Sequence, residues 1–438
     1  MRWNDSTTRH TAAALAAAVF FLAPGAARAL DPIPLEEPPR PPETRLHFGR
    51  FRVRPIFRIE NLGYDDNVFL TGPGTEVADL TGSVIVGAEG QAVFSDRAAL
   101  TLAVEPGWTF YADTSSQNYN SITARARGDV FLRNASLSFA GTHVDTSERT
   151  GNEIDRRARL LLTTLGGSAG LFMERRLSLL GGVTERSVRY PDESDIVIPD
   201  PTARGCAATA TTLGDLLDRR EREVAIRPRY RTLGDGALFA EFSHTDAQFD
   251  VCTDRDTERR TLQLGLQNDP FSRLALRVQA GPARLDPRDP GRSGFSGILG
   301  RAEITWRPMD AWQVRGGWTR DTPFSIVGDN IFAEETNWSG SLLRSVGARV
   351  ALEAGGTGTQ LLWPEPTCLG FGSPGPTPTC TGESIVRRDR IVEWFFGTRF
   401  RADRRTELSL RAAWRQRDSN VPGAEDSRVT ILTGVNLP

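Results

Sequence analysis

The sequence predicts an all-β fold: a transmembrane, antiparallel, up-and-down β-barrel of the bacterial outer-membrane type, with about 18 strands. Three observations predict it. From about residue 50 onward, segment after segment alternates polar and apolar residues with period two, and successive strand side chains point to opposite faces. The segments reach a dozen residues or more, where an ordinary strand has about five or six. The connections between them alternate strictly between short and long, as they do when turns lie on one side of a membrane and loops on the other.

Composition narrows the alternatives. The chain has 438 residues, with 53 basic against 55 acidic side chains, so no strongly basic surface points to a nucleic-acid partner. Every basic residue is Arg; Lys is absent. Mean hydropathy is −0.34. After the first thirty residues no apolar run approaches the roughly 18 residues that a spanning helix needs. The 42 Gly and 27 Pro suit strands and turns better than helices.

Taken in order, residues 1–29 read as a secretory signal peptide. Arg2 and Arg9 supply positive charge, Ala12 to Ala23 form an apolar stretch, and Ala27-Arg28-Ala29 fits a small-x-small cleavage pattern. Export to the bacterial outer membrane, with cleavage near Ala29, is expected. Residues 30–50 form a Pro-rich periplasmic leader, with six prolines between 31 and 43, a composition that favours extended polyproline II.

Residues 51–438 hold the barrel. In 99–111, Leu100, Leu102, Val104, Trp108 and Phe110 oppose Thr101, Glu105, Thr109 and Tyr111. In 273–280, Leu274, Leu276, Val278 and Ala280 oppose Arg273, Arg277 and Gln279. The same reading covers 261–267, 301–307 and 407–415. Short turns fall near Ser95-Asp96-Arg97, Pro308-Met309-Asp310 and Arg401–Arg405, and long loops near 62–77, 191–219, 323–333 and 359–383. The segments number eighteen, an even number that returns both termini to one side. Within 334–358 the run Val350-Ala351-Leu352-Glu353-Ala354 also fits a short helix, which would leave 16 strands. Trp306 and Trp312 flank a short turn, and Trp108 and Trp414 lie towards long loops, where amphipathic rings sit at a membrane boundary.

Four cysteines, Cys206, Cys252, Cys368 and Cys380, fall in or beside long loops. An exported protein meets an oxidising compartment, and four cysteines allow three pairings. Cys206 with Cys252 would tie the longest loop to its neighbour, and Cys368 with Cys380 would close a Pro/Gly-rich loop. No CxxC or paired His supports a metal site, and no cofactor is expected. His143 and His244 take the apolar parity near strand ends. Ser243 points away from His244, so the sequence offers no local Ser–His pair for a lipase. Asp246, Asp250, Asp254 and Asp256 near His244 are the residues a barrel protease would draw on, and a solvated rim explains them as well. Enzyme activity is not expected.

The polar parity is the informative face. It receives Arg125, Arg127, Arg227, Arg229, Arg231, Arg273, Arg277, Arg301, Arg315, Arg411 and Arg415, together with Glu105, Glu241, Glu303 and Glu393. Guanidinium groups bind carboxylate and phosphate in a bidentate fashion, and charged rings in a pore set selectivity. The residues suit either a passage for an anionic polymer or solute, or a wall of Arg–Glu pairs that braces the barrel.

At Tyr64-Asp65-Asp66-Asn67-Val68-Phe69 the chain resembles a family of outer-membrane β-barrel porins associated with exopolysaccharide export systems, which carry a similar Asp-Asn-Val signature after the first strand. The resemblance implies a channel that translocates an exported polysaccharide, which the Arg-rich polar face would suit if it is anionic, and that works with a polysaccharide-export lipoprotein or another periplasmic partner. The alternative is a general or solute-specific diffusion porin. Outer-membrane lipid and the barrel-assembly machinery complete the expected partners. The chain departs from the usual aromatic finish of such barrels in ending Val435-Asn436-Leu437-Pro438.

Overall fold

The structure is a computed structural model. It describes residues 46–437 apart from 96, 148, 150–152, 154–156, 173–174, 192–204, 209, 233–235, 269–272, 328, 369–383 and 404–405. The expected signal peptide, most of the Pro-rich leader and Cys380 lie outside the described residues.

Eighteen long antiparallel strands form the wall. They are β1 (Phe51–Asp65), β2 (Asp79–Ser95), β3 (Ala98–Tyr111), β4 (Tyr119–Phe131), β5 (Ala135–Thr146) and β6 (Leu160–Leu171). Then follow β7 (Leu177–Arg189), β8 (Arg219–Arg231), β9 (Ala237–Phe249), β10 (Thr257–Gln267), β11 (Leu274–Pro287) and β12 (Phe295–Met309). The ring is completed by β13 (Trp312–Asp321), β14 (Glu334–Val346), β15 (Val350–Leu362), β16 (Arg388–Arg401), β17 (Glu407–Ser419) and β18 (Asp426–Leu437). Each strand pairs with its neighbours in sequence, and β1 pairs with β18 to close the sheet. Closure leaves no unpaired edge, the condition for a sheet to cross hydrocarbon.

The large apolar side chains sit on the outside. Phe139 and Leu264 are 65% and 68% exposed, because lipid, not protein, is their intended solvent. Leu46–Phe48, at the end of the expected leader, adds a three-residue antiparallel segment to the start of β1. The strand ends that flank the long connections lie at one mouth; those that flank the short turns, with the start of β1 and the end of β18, lie at the other.

The 334–358 region is two strands, not a helix. Glu353 points inward to Arg399 at 3.3 Å, while Leu352 and Ala354 take the lipid-facing parity. Helix propensities of a few tenths of a kcal/mol per residue do not outweigh a paired, lipid-solvated strand. Two glycines here are shaped by aromatic rings: a Cβ on Gly358 would meet the Trp338 ring at 2.1 Å, and one on Gly356 would meet Trp394 at 2.6 Å. The first long loop starts later than the sequence indicates. β1 passes through a bulge at Asn61, whose φ of 54° lies in the left-handed region that Asn tolerates, and continues to Asp65. The hexapeptide therefore begins inside the strand rather than after it. Arg273, expected within the alternating segment 273–280, precedes β11 and is exposed at the short-turn mouth.

Candidate functional site

The candidate site is the lumen and the long-loop mouth above it. Strand alternation alone places most of the wall charges. Arg125, Arg127, Arg227, Arg229, Arg231, Arg277, Arg301, Arg315, Arg411 and Arg415 share the inward parity with Glu105, Glu241, Glu303 and Glu393. Many of them bind one another. Glu105 accepts from Arg58 at 2.8 Å and Arg125 at 2.6 Å, so one carboxylate ties β1, β3 and β4 together. Glu241 accepts from Arg227 Nε at 2.7 Å, Glu393 from Arg411 at 2.6 Å, and Glu303 from Arg301 Nε at 3.0 Å. Arg127 reaches Asp129 at 3.0 Å, and Arg415 pairs with Asp426. Arg227 and Arg411 also lie over Phe239 and Phe395, at 4.8 and 4.1 Å from the ring centroids, a further attraction for a guanidinium.

The remaining arginines are held differently. Arg229 donates to Ser178 Oγ at 3.2 Å and Arg315 to the Gln313 side chain at 3.0 Å. Arg277 stands opposite Glu303 in register. Arg231 is exposed two residues beyond Arg229 on the same face of β8. Arg229 is buried, whereas Arg231 and the half-buried Arg315 stand on the inward face without a carboxylate contact among the described residues.

Above this wall the loops fold inward. The loop 322–333 packs Ile331 and Phe332 against Ala283, Leu285, Phe295 and Leu299 on the inner face of β11 and β12. Its tip reaches two other sectors. Phe324 and Ile326 touch the cluster of Leu160, Leu162, Val188 and Tyr190, with the one-turn helix α1 (Leu213–Leu217). Val327 touches Leu361, Trp363 and Ile391. One loop tip thus joins the sectors at β6–β7, β11–β12 and β15–β16, which is possible only if it lies across the mouth.

Hydrogen bonds fix the crossing. Glu153, in the loop after β5, stands eight strands from the loop after β13. Its carboxylate accepts from Ile326 N at 2.8 Å and from Trp363 Nε1 at 2.7 Å. Trp363 is fully buried and also donates to Ser325 Oγ at 2.9 Å. Asn330 donates its amide to Glu365 O at 3.1 Å and accepts from Glu365 N at 2.7 Å. Arg292 joins Asp254 at 2.6 Å to Asp329 at 2.8 Å, and buried Arg255 donates to the carbonyls of Ser325 and Asn330. Burial raises the Glu153 carboxyl above its ordinary pKa, partly offset by the donors from Ile326, Trp363 and Ser325 and by Arg387. Burial likewise lowers Arg255 to about 10, which leaves it cationic at neutral pH.

Cys206 and Cys252 form a disulfide that ties the loop before β8 to the loop after β9. Cys368 is described only as part of a two-residue pairing with Ser384. His143 faces outward and shares a hydrogen bond with Thr163 at 2.9 Å. His244 also faces outward, while Ser243 bonds inward to Thr261 at 2.6 Å. The acids near His244 are held in ion pairs: Arg288 joins Asp246 at 2.7 Å to Asp256 at 3.5 Å, Asp254 binds Arg292, and Asp256 also accepts from Phe249 N.

The hexapeptide closes the barrel. Buried Asp65 accepts from Arg428 Nε at 2.9 Å and Asn67 N at 3.1 Å. Asn67, fully enclosed, donates to Ser427 O at 2.8 Å and Thr71 O at 2.9 Å and accepts from Thr71 N at 3.0 Å. Asp66 accepts from Val429 N. Three successive residues therefore clasp β1 to β18, the two strands farthest apart in sequence.

The plug residues Glu153, Ser325, Asn330 and Trp363 escape a strand-based reading because they sit between strands. One signal was available: Pro323–Phe332 reads PFSIVGDNIF, and so apolar a run is unusual in a connection exposed to water.

Comparison with known proteins gives three findings. Residues 45–353 match the family model described as "Putative beta-barrel porin 2". No curated protein matches. Several solved structures are similar. Pseudomonas aeruginosa OpdK has 10% identity and a TM-score of 0.47, over 88% of this chain and 98% of that one. OccK2 (OpdF) from the same organism, solved in complex with glucuronate, has 14% identity and a TM-score of 0.47 over the same shares. Acinetobacter baumannii OccAB3 has 12% identity and a TM-score of 0.46, again over 88% and 98%.

Proposed function

This chain belongs to the Putative beta-barrel porin 2 family, and on that premise we propose that it is an outer-membrane diffusion porin for small anionic solutes, narrowed at its outer mouth by its own loops. The observation that carries the reading is the combination of an inward-folded plug with an Arg-rich wall beneath it. A barrel of 18 strands is wide enough to leave an aqueous channel. The loop tip at Phe324–Val327 reduces that opening, so size selection falls at the mouth. Below it, Arg231 and Arg315 offer donors in fork geometry to carboxylate or phosphate groups, and rings of fixed charge bias which ions pass.

The export of a polysaccharide, expected from the hexapeptide resemblance, gains no support. The hexapeptide bonds lie in the seam and not in the passage, and a continuous polymer would have to displace a tip that packs on three sectors of the wall. The solute reading needs only a gap beside it.

The test is the reversal potential of single barrels in a planar bilayer under a KCl gradient. The wild type is expected to favour chloride. Replacing Arg231 and Arg315 by Gln should lower the anion-to-cation permeability ratio about twofold, with folding intact by gel mobility. An unchanged ratio removes these residues from the passage, and cation preference in the wild type defeats the reading.

A further inference from the structure

The outer wall carries a second charged feature that transport does not use. On β9, β10 and β11 the residues His244, Arg260 and Arg284 stand opposite one another in register, flanked by Val224 and Ser296. All have the lipid-facing parity, and neighbouring strands are about 4.8 Å apart. Three nitrogen-bearing side chains therefore form one row around the wall, with no acid among them. One register step nearer the membrane centre lie Phe242, Leu262 and Ile298, which are 48%, 49% and 58% exposed, and Pro282. One step nearer the loops lie Asp246, Glu258 and Asp286, again opposite one another. A groove of about 350 Å³ runs between Arg260 and Arg284 and is lined by Phe242, Leu262 and Pro282.

We propose that this row binds a phosphate group of an anionic glycolipid in the outer leaflet, with the lipid's acyl chains lying along Phe242, Leu262 and Ile298. The inference rests on the long-loop mouth facing outward, as in the proposed porin. Height is the first argument. The cationic row begins where the apolar band ends, the level at which lipid phosphates sit and at which guanidinium groups on long stems come to rest. Availability is the second. Arg260 and Arg284 are 61% and 71% exposed, and their ion pairs are with Glu258 (2.9 Å) and Asp286 (2.6 Å), themselves 37% and 41% exposed. Such surface pairs contribute little, so a phosphate can replace them with a charge-assisted bidentate contact.

The test compares full-length wild type with the Arg260→Gln/Arg284→Gln variant, both refolded into vesicles containing a bisphosphorylated outer-leaflet glycolipid, then extracted in mild detergent and examined by native mass spectrometry. Wild type should retain the glycolipid, and the variant should retain about fivefold less, with single-channel current unchanged. Arg344→Gln, which removes an outward arginine at the opposite, short-turn mouth, should retain the wild-type amount. Vesicles made with the dephosphorylated glycolipid should show no difference between proteins, and millimolar inorganic phosphate should not displace the lipid. Equal retention by wild type and the double variant overturns the proposal. So does displacement by free phosphate, which would make the site one for a soluble anion. So does an arginine-dependent dimer, which would make the row a contact between copies. Altered ion selectivity in the Arg231/Arg315 experiment bears only on the porin reading and leaves this outcome separate.

Discussion

Replacing Asn67 by Ala is expected to lower the stability of the barrel by about 2 kcal/mol, because it strands a partly buried N–H and two partly buried carbonyls that the amide now satisfies. The side chain makes those bonds across the seam, to Thr71 in the first loop and Ser427 at the start of β18. Every other strand pair in the wall is joined by a connection of limited length. β1 and β18 have no such tether, and their pairing must be held by side chains and ladder alone. Asp65→Ala should act in the same direction, since breaking a pair with one buried partner costs about 3–5 kcal/mol. The lower end applies, because the Arg428 side chain is 30% exposed. Urea titration in detergent micelles, read by gel mobility, measures both. The distinguishing comparison is Asp65→Ala with Arg428→Leu. If the cost comes from an abandoned guanidinium, the double variant recovers part of the loss. If it does not recover, the clasp is not what holds the seam.

Removing the Glu153 carboxylate is expected to open the outer mouth. In Glu153→Ala, Ile326 N loses its acceptor and Trp363 Nε1 keeps only Ser325 Oγ. A cost of about 3 kcal/mol shifts the docked-to-undocked ratio of the loop by on the order of a hundredfold. Single-channel recordings should then show larger mean conductance and frequent steps, while urea stability of the wall stays near wild type. Unchanged conductance would mean that the loop does not limit the current.

The same residue sets a pH dependence. Burial raises the Glu153 carboxyl in the docked state, so docking takes up protons. The contribution favouring the docked plug is fully present below the ordinary carboxylate range. It diminishes as the pH rises from there to the raised value, and is constant above it. Conductance of the wild type should therefore rise with pH across that window. Arg387 and Arg255 face Glu153 from the neighbouring loops, and Glu153→Gln, which removes the ionisable carboxyl, should flatten the profile. A profile that persists in Glu153→Gln places the titration elsewhere.

The barrel itself was legible from local pattern. Leu100, Leu102 and Val104 against Thr101 and Glu105 announce a strand with two solvents, and no tertiary knowledge is needed, because lipid and water impose the alternation residue by residue. The same logic placed Arg227, Arg229 and Arg231 on one face, since a period of two admits only one partition. It failed where a residue left the strand, as Arg273 does, or where a bulge moved a boundary, as at Asn61. It also left the hexapeptide open, because Asp and Asn mark a turn by their chemistry whether or not they hold anything else.

What the sequence determined by itself is the wall: strand length, facing, and the order of short turns and long loops are all consequences of contacts between near neighbours and the surrounding solvent. The tertiary structure decided which partners the loop residues take. Glu153 meets Trp363 across 210 positions and Asp65 meets Arg428 across 363. Those distances in sequence are bridged only after the ring has closed, so the apolar run at Pro323–Phe332 marks a loop that buries itself but encodes none of the partners it takes.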